Sequence, residues 1–298
     1  MSPVVCPCEG EYHEQEYLIR FAYLAIASLA CGFSIDLPRT PTAGPDSTDQ
    51  ITVTGPIGDE ASAATRLDIS FGAGKLTLSP GAKDLVNGTA TYNIPELKPQ
   101  ITEKDGDIRI EQGDFKLDNF AALNNVKNEW DLKLGDVPMD LSIEAGAYDA
   151  KIDLGGLSLT SLSIKDGAAD VNFSFSSPNL TEMSLFRYET GVSDVKLEKL
   201  ANANFEAMSF QSGAGNYTLD FNGELKRSAT VMVNTGLSNM ILVIPDGVNA
   251  VVTVDSGISN ISAGSNWEQN GNVYTQSGSG PKLTFSVQIS AGNLTLTH

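Results

Sequence analysis

Apolar and polar residues alternate on both sides of a glycine that recurs along most of the chain. The recurring residues are Gly146, Gly167, Gly191, Gly213, Gly236 and Gly257, with spacings of 21 to 24 residues. Apolar side chains occur five and three residues before each glycine and four and six residues after it. Around Gly167, these are Leu162, Ile164, Val171 and Phe173. Alternation with a period of two indicates half-buried strands, and no segment after residue 60 has a helical period. The pattern predicts an all-β solenoid of about 22 residues per coil.

The third residue after each glycine is always Asp or Asn. These residues are Asp149, Asp170, Asp194, Asn216, Asn239 and Asn260. Glycine adopts positive φ without steric cost, and Asp or Asn tolerates the left-handed region, so the spacing predicts a sharp turn between two short strands. In stacked coils, these side chains would form a ladder with rungs about 4.8 Å apart.

The acidic half of this ladder has two interpretations. Asp149, Asp170 and Asp194 offer the oxygen atoms that Ca²⁺ prefers, or they point outward and accept hydrogen bonds from turn amides. We favour the second interpretation, because ladder spacing alone does not supply the roughly six to eight oxygen ligands of a calcium site.

Related units flank the regular repeats at Leu67–Leu78, more weakly at Ile108–Gly113, and at Phe285–Leu296. Between the last two repeats, Asn270-Gly271 lies among aromatic residues and is a strong hairpin signal. We therefore expect one solenoid domain over residues 59–298, with a hairpin or cap near 265–282 and with Phe285–Leu296 closing the array.

The beginning of the chain has the features of an export signal. The apolar run Phe21–Ala30 follows Arg20 and precedes Cys31, and it is too short to span a bilayer. The sequence Ser28-Leu-Ala-Cys31 resembles the lipobox at which bacterial lipoproteins are cleaved and acylated. We predict a signal peptide over 1–30, with translation starting near residue 18, and lipidation of Cys31. The alternative is that Cys31 is a buried thiol on a short core helix.

Residues 31–58 have the composition of a linker. Four prolines and several Ser and Thr residues follow Cys31, and such segments bury too little apolar surface to fold. We expect a disordered tether between the lipid anchor in the membrane and the folded domain.

Charge and histidine content exclude several kinds of activity. With 37 acidic and 19 basic residues, the formal net charge is −18, so no nucleic acid partner is expected. His13 and His298 both lie near a terminus, which leaves no histidine for a catalytic or metal site in the body of the domain. No glycine motif for dinucleotides or phosphates is complete, so we predict no cofactor.

Two further groups of residues are candidates for chemistry. An acidic strip beside a basic residue is formed by Glu103, Asp105, Asp107 and Arg109. Paired carboxylates could cleave a polysaccharide, yet charges that alternate with Ile108 and Ile110 are typical of a solvated strand face. Three aromatic residues are candidate contacts for sugars or partners, with core packing as the alternative: Trp130, Trp267 and Tyr274.

The segments Leu67–Leu78, Tyr92–Gln112 and Ser290–Leu296 resemble the toast-rack family, which is related to the C-terminal domain of cell-wall-active-antibiotic-response proteins and to adhesin head domains. The resemblance covers about residues 60–298 and implies a right-handed, β-helix-like stack in a bacterial envelope protein, with no catalytic residues. It leads us to expect a non-enzymatic, extracytoplasmic, membrane-anchored scaffold. Such a scaffold would be adhesin-like or bind an envelope protein or polysaccharide, with envelope stress response as one role. The alternative is a protein that binds or cleaves polysaccharides.

Overall fold

The computed structural model describes residues 43–55, 64–104, 106–113 and 126–298, with the backbone alone at 258–259. The strands in this part of the chain are β1 (Ser47–Val53), β2 (Thr65–Pro80), β3 (Val86–Tyr92), β4 (Pro99–Lys104), β5 (Asp107–Gln112), β6 (Asn128–Leu134), β7 (Met139–Asp153), β8 (Leu159–Ser174), β9 (Met183–Glu198), β10 (Phe205–Asp220), β11 (Ala229–Val243), β12 (Val248–Ala263), β13 (Glu268–Asn270), β14 (Val273–Gln276) and β15 (Ser279–Thr297). Within the described ranges, helical structure is limited to 3₁₀ turns at Pro95–Leu97 and Leu200–Ala203. The all-β prediction is confirmed.

The strands form one sheet in the order β1-β3-β6-β2-β7-β8-β9-β10-β11-β15-β12-β14-β13, with β4 and β5 beside the first half of β2. From β2 to β12, neighbouring strands of this order are parallel. The last repeat does not close the array as expected, because β15 lies between β11 and β12. Its Asn293 aligns with Asn239 on one side and Asn260 on the other.

Each repeat is one long strand rather than two strands joined by a turn. In β8, Leu162 and Ile164 are buried before the glycine, and Val171 and Phe173 are buried after it. From Leu162 to Phe173, the buried positions are even-numbered before Gly167 and odd-numbered after it, so the strand changes the face that it buries without ending. One 15- to 16-residue strand therefore contributes two apolar rows to the core.

The recurring glycines are not turn residues, which corrects the prediction from spacing. None of the six has positive φ. Each instead lies against the main chain of the neighbouring strand. A Cβ on Gly191 would lie 2.3 Å from the carbonyl oxygen of Gly167, and the other five positions give 2.4 to 2.8 Å to the corresponding oxygen. Glycine is required because the backbones approach more closely here than any Cβ allows.

The core lies beneath the sheet and is filled by the alternating apolar rows. Tyr188 and Phe210 stack across β9 and β10 with ring centroids 5.6 Å apart, and Phe71 meets Trp130 edge to face at 5.1 Å. Such aromatic pairs stabilise a core beyond the area that they bury. Trp130 is 1% exposed, and Trp267 and Tyr274 are 8% and 5% exposed, so these three residues pack in the core and are not surface contacts for sugars.

The folded region begins before residue 58, which shortens the expected tether. Ser47–Val53 form β1, which pairs antiparallel with β3, and Ile51 and Val53 are buried. The polar residues that alternate with them gave this segment the composition of a linker. At the other end of the sheet, β13 and β14 form an antiparallel hairpin in which Asn270 pairs with Val273.

The signal peptide predicted over 1–30, the proposed start near residue 18 and Cys31 lie outside the described residues. Within the described ranges, no helix is both long enough and apolar enough to cross a membrane.

Candidate binding surface

The Asp and Asn residues that follow the glycines lie side by side on the exposed face of the sheet. Asn216 donates from Nδ2 to Asp194 Oδ1 at 2.7 Å, and Asn239 donates to Asn216 Oδ1 at 3.0 Å. Beyond them, Asn293 donates to Asn239 Oδ1 at 2.7 Å, and Asn260 donates to Asn293 Oδ1 at 3.3 Å. Every amide donates in the same direction, so the four amides and the Asp194 carboxylate form one continuous hydrogen-bonded row across β9 to β12, which we call the amide ladder.

The acidic side chains continue this row without converging. Asp149 aligns with Asp170, and Asp170 aligns with Asp194, on neighbouring parallel strands. Among the described residues, no group of three or more His, Cys, Asp or Glu side chains is arranged to hold a metal ion. The neighbour of Asp149 on β2 is Lys75, which lies 3.6 Å from Glu129. The row thus passes from amides to carboxylates to an ion pair.

In four consecutive strands, the stretch around the recurring glycine position contains no charged residue, and the exposed Asp255 of β12 borders it. We call it the uncharged face, defined as residues 211–218 of β10, 232–241 of β11, 286–295 of β15 and 256–262 of β12. The equivalent stretches of β7, β8 and β9 carry charged side chains, including Glu144, Lys165, Glu189 and Lys196. In a protein with a net charge of −18, the uncharged face is a distinct surface.

Exposed aliphatic side chains are concentrated on β11 in the middle of the uncharged face. Met232 is 54% exposed, Leu237 is 63% exposed and Ile241 is 38% exposed. Leu237 belongs to a row that is apolar in every strand, since the residue after each recurring glycine is Ala, Val, Leu or Ile. Val192 holds the same position on the charged strand β9 and is 65% exposed. Large aliphatic side chains surrounded by polar residues are typical of a docking surface.

A buried carboxylate, Asp166, lies in β8 directly before Gly167 and contacts side chains of β9. Tyr188 donates its phenol hydrogen to Asp166 Oδ2 at 2.8 Å, and the Thr190 hydroxyl contacts Asp166 Oδ1. Ser193 Oγ lies 2.6 Å from the Thr190 hydroxyl and accepts the Ala169 N–H at 2.9 Å. Burial raises the pKa of the Asp166 carboxyl, and the hydroxyl donors oppose this shift without reversing it.

An open depression of about 370 Å³ adjoins this carboxylate. Its lining is polar and consists of Lys165, Asp166, Glu189, Thr190, Gln211, Ser212 and Asn234. Sequence reasoning missed Asp166 because the residue before each glycine varies from Ala to Asp, Thr and Ser. A signal existed, however, because this position continues the inward-facing series of Leu162 and Ile164.

The acidic strip is part of a network of exposed ion pairs. Arg109 lies 3.5 Å from Asp68, and Arg66 lies 3.5 Å from Asp107, across the paired strands β2 and β5. Glu103 is exposed on β4, and Asp105 lies outside the described residues. The described members therefore occupy a solvated strand face rather than a cleft.

Comparison with known proteins agrees with this architecture. Residues 42–198, more than half of the chain, match the family described as the N-terminal domain of toast_rack, DUF2154. The chain belongs to the toast-rack family. No curated protein matches it significantly.

Solved structures with a similar fold include a "putative cell adhesion protein" from Clostridium sporogenes ATCC 15579. It is 21% identical, with a TM-score of 0.52, and the alignment covers 85% of this chain and 99% of that one. A "putative adhesin" from Bacteroides fragilis NCTC 9343 is 11% identical, with a TM-score of 0.37, over 85% of this chain and 97% of that one. The first likeness concerns the fold alone, over 85% of the chain; the second is too distant to carry an argument.

Proposed function

We propose that this toast-rack protein is a non-enzymatic, adhesin-like scaffold that acts outside the cytoplasm and binds its partner through the uncharged face. The observation that carries the proposal is the concentration of Met232, Leu237 and Ile241 on a surface without charges in a strongly acidic protein. Burying aliphatic side chains favours association, and a surface without charges avoids the desolvation that charged groups require. The names given to proteins of similar fold are consistent with a role in adhesion.

The proposal includes a right-handed solenoid of about 22 residues per coil. The parallel pairing of β7, β8, β9, β10 and β11 in chain order supports it, because each strand is followed by a short return segment before the next parallel strand. A rigid stack of this kind would hold the strands of the uncharged face in a fixed arrangement, while the tether links the domain to a lipid-anchored Cys31.

A polysaccharide-binding or polysaccharide-cleaving protein is the second candidate. It is favoured by the polar depression, in which the carboxylates of Asp166 and Glu189 line the same space as Lys165. Cleavage of glycosidic bonds commonly uses two carboxylates, one of them with a raised pKa. Release of reducing sugars from envelope polysaccharides by the full chain, lost in Asp166→Asn, would establish this candidate instead.

Adhesion can be tested with beads that carry the full chain and are washed over immobilised bacterial envelopes. We expect wild-type beads to be retained, Leu237→Lys beads to be lost, and Val192→Lys beads to be retained. Leu237 and Val192 occupy the same position after the glycine and are almost equally exposed, so they form a matched pair. Equal retention of the two variants would contradict binding through the uncharged face.

Treating the envelopes before the assay identifies whether the partner is a protein or a polysaccharide. Protease treatment should abolish retention if the partner is an envelope protein, and periodate should abolish it if the partner is a polysaccharide. Anchoring is tested separately by labelling with radioactive palmitate, which we expect in the wild type and not in Cys31→Ser. A role in envelope stress requires that antibiotics active on the cell wall change the amount of protein produced.

A further inference from the structure

On the side opposite β15, β14 covers only part of the edge of β12. β14 pairs with β12 only from Ala250 to Thr253. No strand among the described residues pairs with Ser256–Ala263 on the side opposite β15. This segment therefore presents a row of backbone N–H and C=O groups that can pair with a further strand.

The hydrophobic core is incomplete beneath the same segment. Ile261 and Ala263 hold inward positions, and their partners on β15, Leu294 and Leu296, are buried. Ile261 is only half-buried, and Ala263 is exposed. A strand added at this edge would cover both side chains as well as pair with the backbone.

Other edges of the described sheet carry features that block strand addition. On the outer strand β4, Pro99 lacks an N–H, and Glu103 and Lys104 are charged and exposed. β1 has the charged Asp49, which lies 3.4 Å from Lys98, and β13 has only three residues. Ser256–Ala263 contains neither a charge nor a proline. Protection by charges, prolines and short strands is the usual defence of an edge, and it is missing at this one.

We propose that this edge of β12 pairs with the same edge of a second copy of the chain, in antiparallel orientation about a two-fold axis. Two identical edges related by a two-fold axis are complementary in their backbone hydrogen bonds. The net charge of −18 opposes the approach of two copies at most surfaces, but the open segment belongs to the uncharged face. The inference is argued from the open edge and does not require that the uncharged face binds an envelope partner.

The amide ladder also ends in a form that fits a second copy. Asn260 donates from Nδ2 to Asn293, and its Oδ1 accepts no hydrogen bond from the described residues. An Asn260 from the second copy would donate its free Nδ2 hydrogen to this oxygen and accept in return. The pairing would thus join two ladders into one and bring the two incomplete cores together.

Sedimentation of the full chain over a range of concentrations tests the proposal. We expect a wild-type dimer with twice the monomer mass of 31.6 kDa. Ser262→Lys should raise the dissociation constant of the dimer by about tenfold or more, because it places a charge on the open edge. Thr295→Lys is the matched control, since Thr295 is the partner of Ser262 on β15 and lies one strand away from the edge. It should change the constant by no more than about twofold.

A wild type that stays monomeric up to about 100 μM would overturn the proposal, as would equal effects of the two lysine variants. Hydrogen exchange on the wild type provides a measurement that does not depend on any variant folding. We expect the amides of Ser256–Ala263 to exchange more slowly as the protein concentration rises. Protection that is independent of concentration would show that another segment of the same chain covers the edge, and it would equally overturn the proposal.

Discussion

Gly191→Ala tests the close approach of the strands with a single added carbon atom. The new Cβ would lie 2.3 Å from the carbonyl oxygen of Gly167 and 3.3 Å from its carbonyl carbon. Since a separation of at least 3.0 Å is required, β9 and β8 must move apart by roughly 0.7 Å or more, which weakens the backbone hydrogen bonds on both sides of the contact. Overpacking of this kind destabilises proteins by about 1–3 kcal/mol.

An opposing effect is smaller than this penalty. Replacing glycine by alanine in an unobstructed strand stabilises by about 0.5–1 kcal/mol, because the unfolded chain loses conformational freedom. The middle of these two ranges gives a net loss of about 1 kcal/mol for Gly191→Ala, which is a decrease in Tm of roughly 2–4 °C for a domain of this size.

Thermal unfolding followed by circular dichroism measures the effect against two controls. Gly44→Ala should leave the Tm unchanged or slightly higher, because its Cβ would come no closer than 3.6 Å to another residue. Gly167→Ala should have an intermediate effect, because its nearest contact is 2.8 Å. A Tm for Gly191→Ala equal to that of Gly44→Ala would refute the account of the recurring glycines.

Three further predictions concern the core, the ladder and the buried carboxylate. Ile51→Ala should destabilise the protein by about 2–5 kcal/mol in thermal unfolding, because Ile51 is buried in β1. An unchanged Tm would mean that this segment belongs to the tether and not to the folded domain. Asn239→Ala removes two side-chain hydrogen bonds and should lower the free energy of unfolding by about 1 kcal/mol, whereas Asn172→Ala, also exposed but outside the ladder, should leave it unchanged. The raised pKa of Asp166 means that the folded state holds this proton more tightly than the unfolded chain, so the contribution of Asp166 to stability falls as pH rises from its unfolded value of 3.8 through the folded pKa. Asp166→Asn should therefore reduce the decline of Tm between about pH 4 and pH 7, and an identical decline in both proteins would contradict this assignment.

The sequence allowed the buried positions to be predicted because alternation with a period of two follows directly from strand geometry. The apolar residues at five and three positions before the glycine, such as Leu162 and Ile164, are buried. The role of the glycine could not be predicted in the same way. A turn and a close backbone approach both require glycine, and only the positions of neighbouring strands distinguish them.

The order of the last two repeats was also beyond the sequence pattern. Chain order suggested that β15 follows β12, whereas β15 lies between β11 and β12. The hairpin of β13 and β14 covers the first half of β12, and the chain then returns to pair with β12 on its other side. Local periodicity contains no information about this choice, because either order gives each strand the same apolar rows.

The candidate binding surface was visible in the sequence but was not recognised there. The stretches that form the uncharged face can be seen to lack charges, yet their grouping depends on β10, β11, β15 and β12 being neighbours. The interpretation of the acidic strip as a solvated strand face agrees with its exposed ion pairs, and the three aromatic residues are buried, as the core-packing alternative expects.

Hydrogen exchange of the full chain with and without bound envelope fragments tests the central claim most directly, because it locates the contact surface even while the partner is unidentified. Our account predicts slower exchange on β11 and β15, around Leu237 and Asn293. Slower exchange confined to the charged strands β7, β8 and β9, with β11 and β15 unchanged, would contradict it.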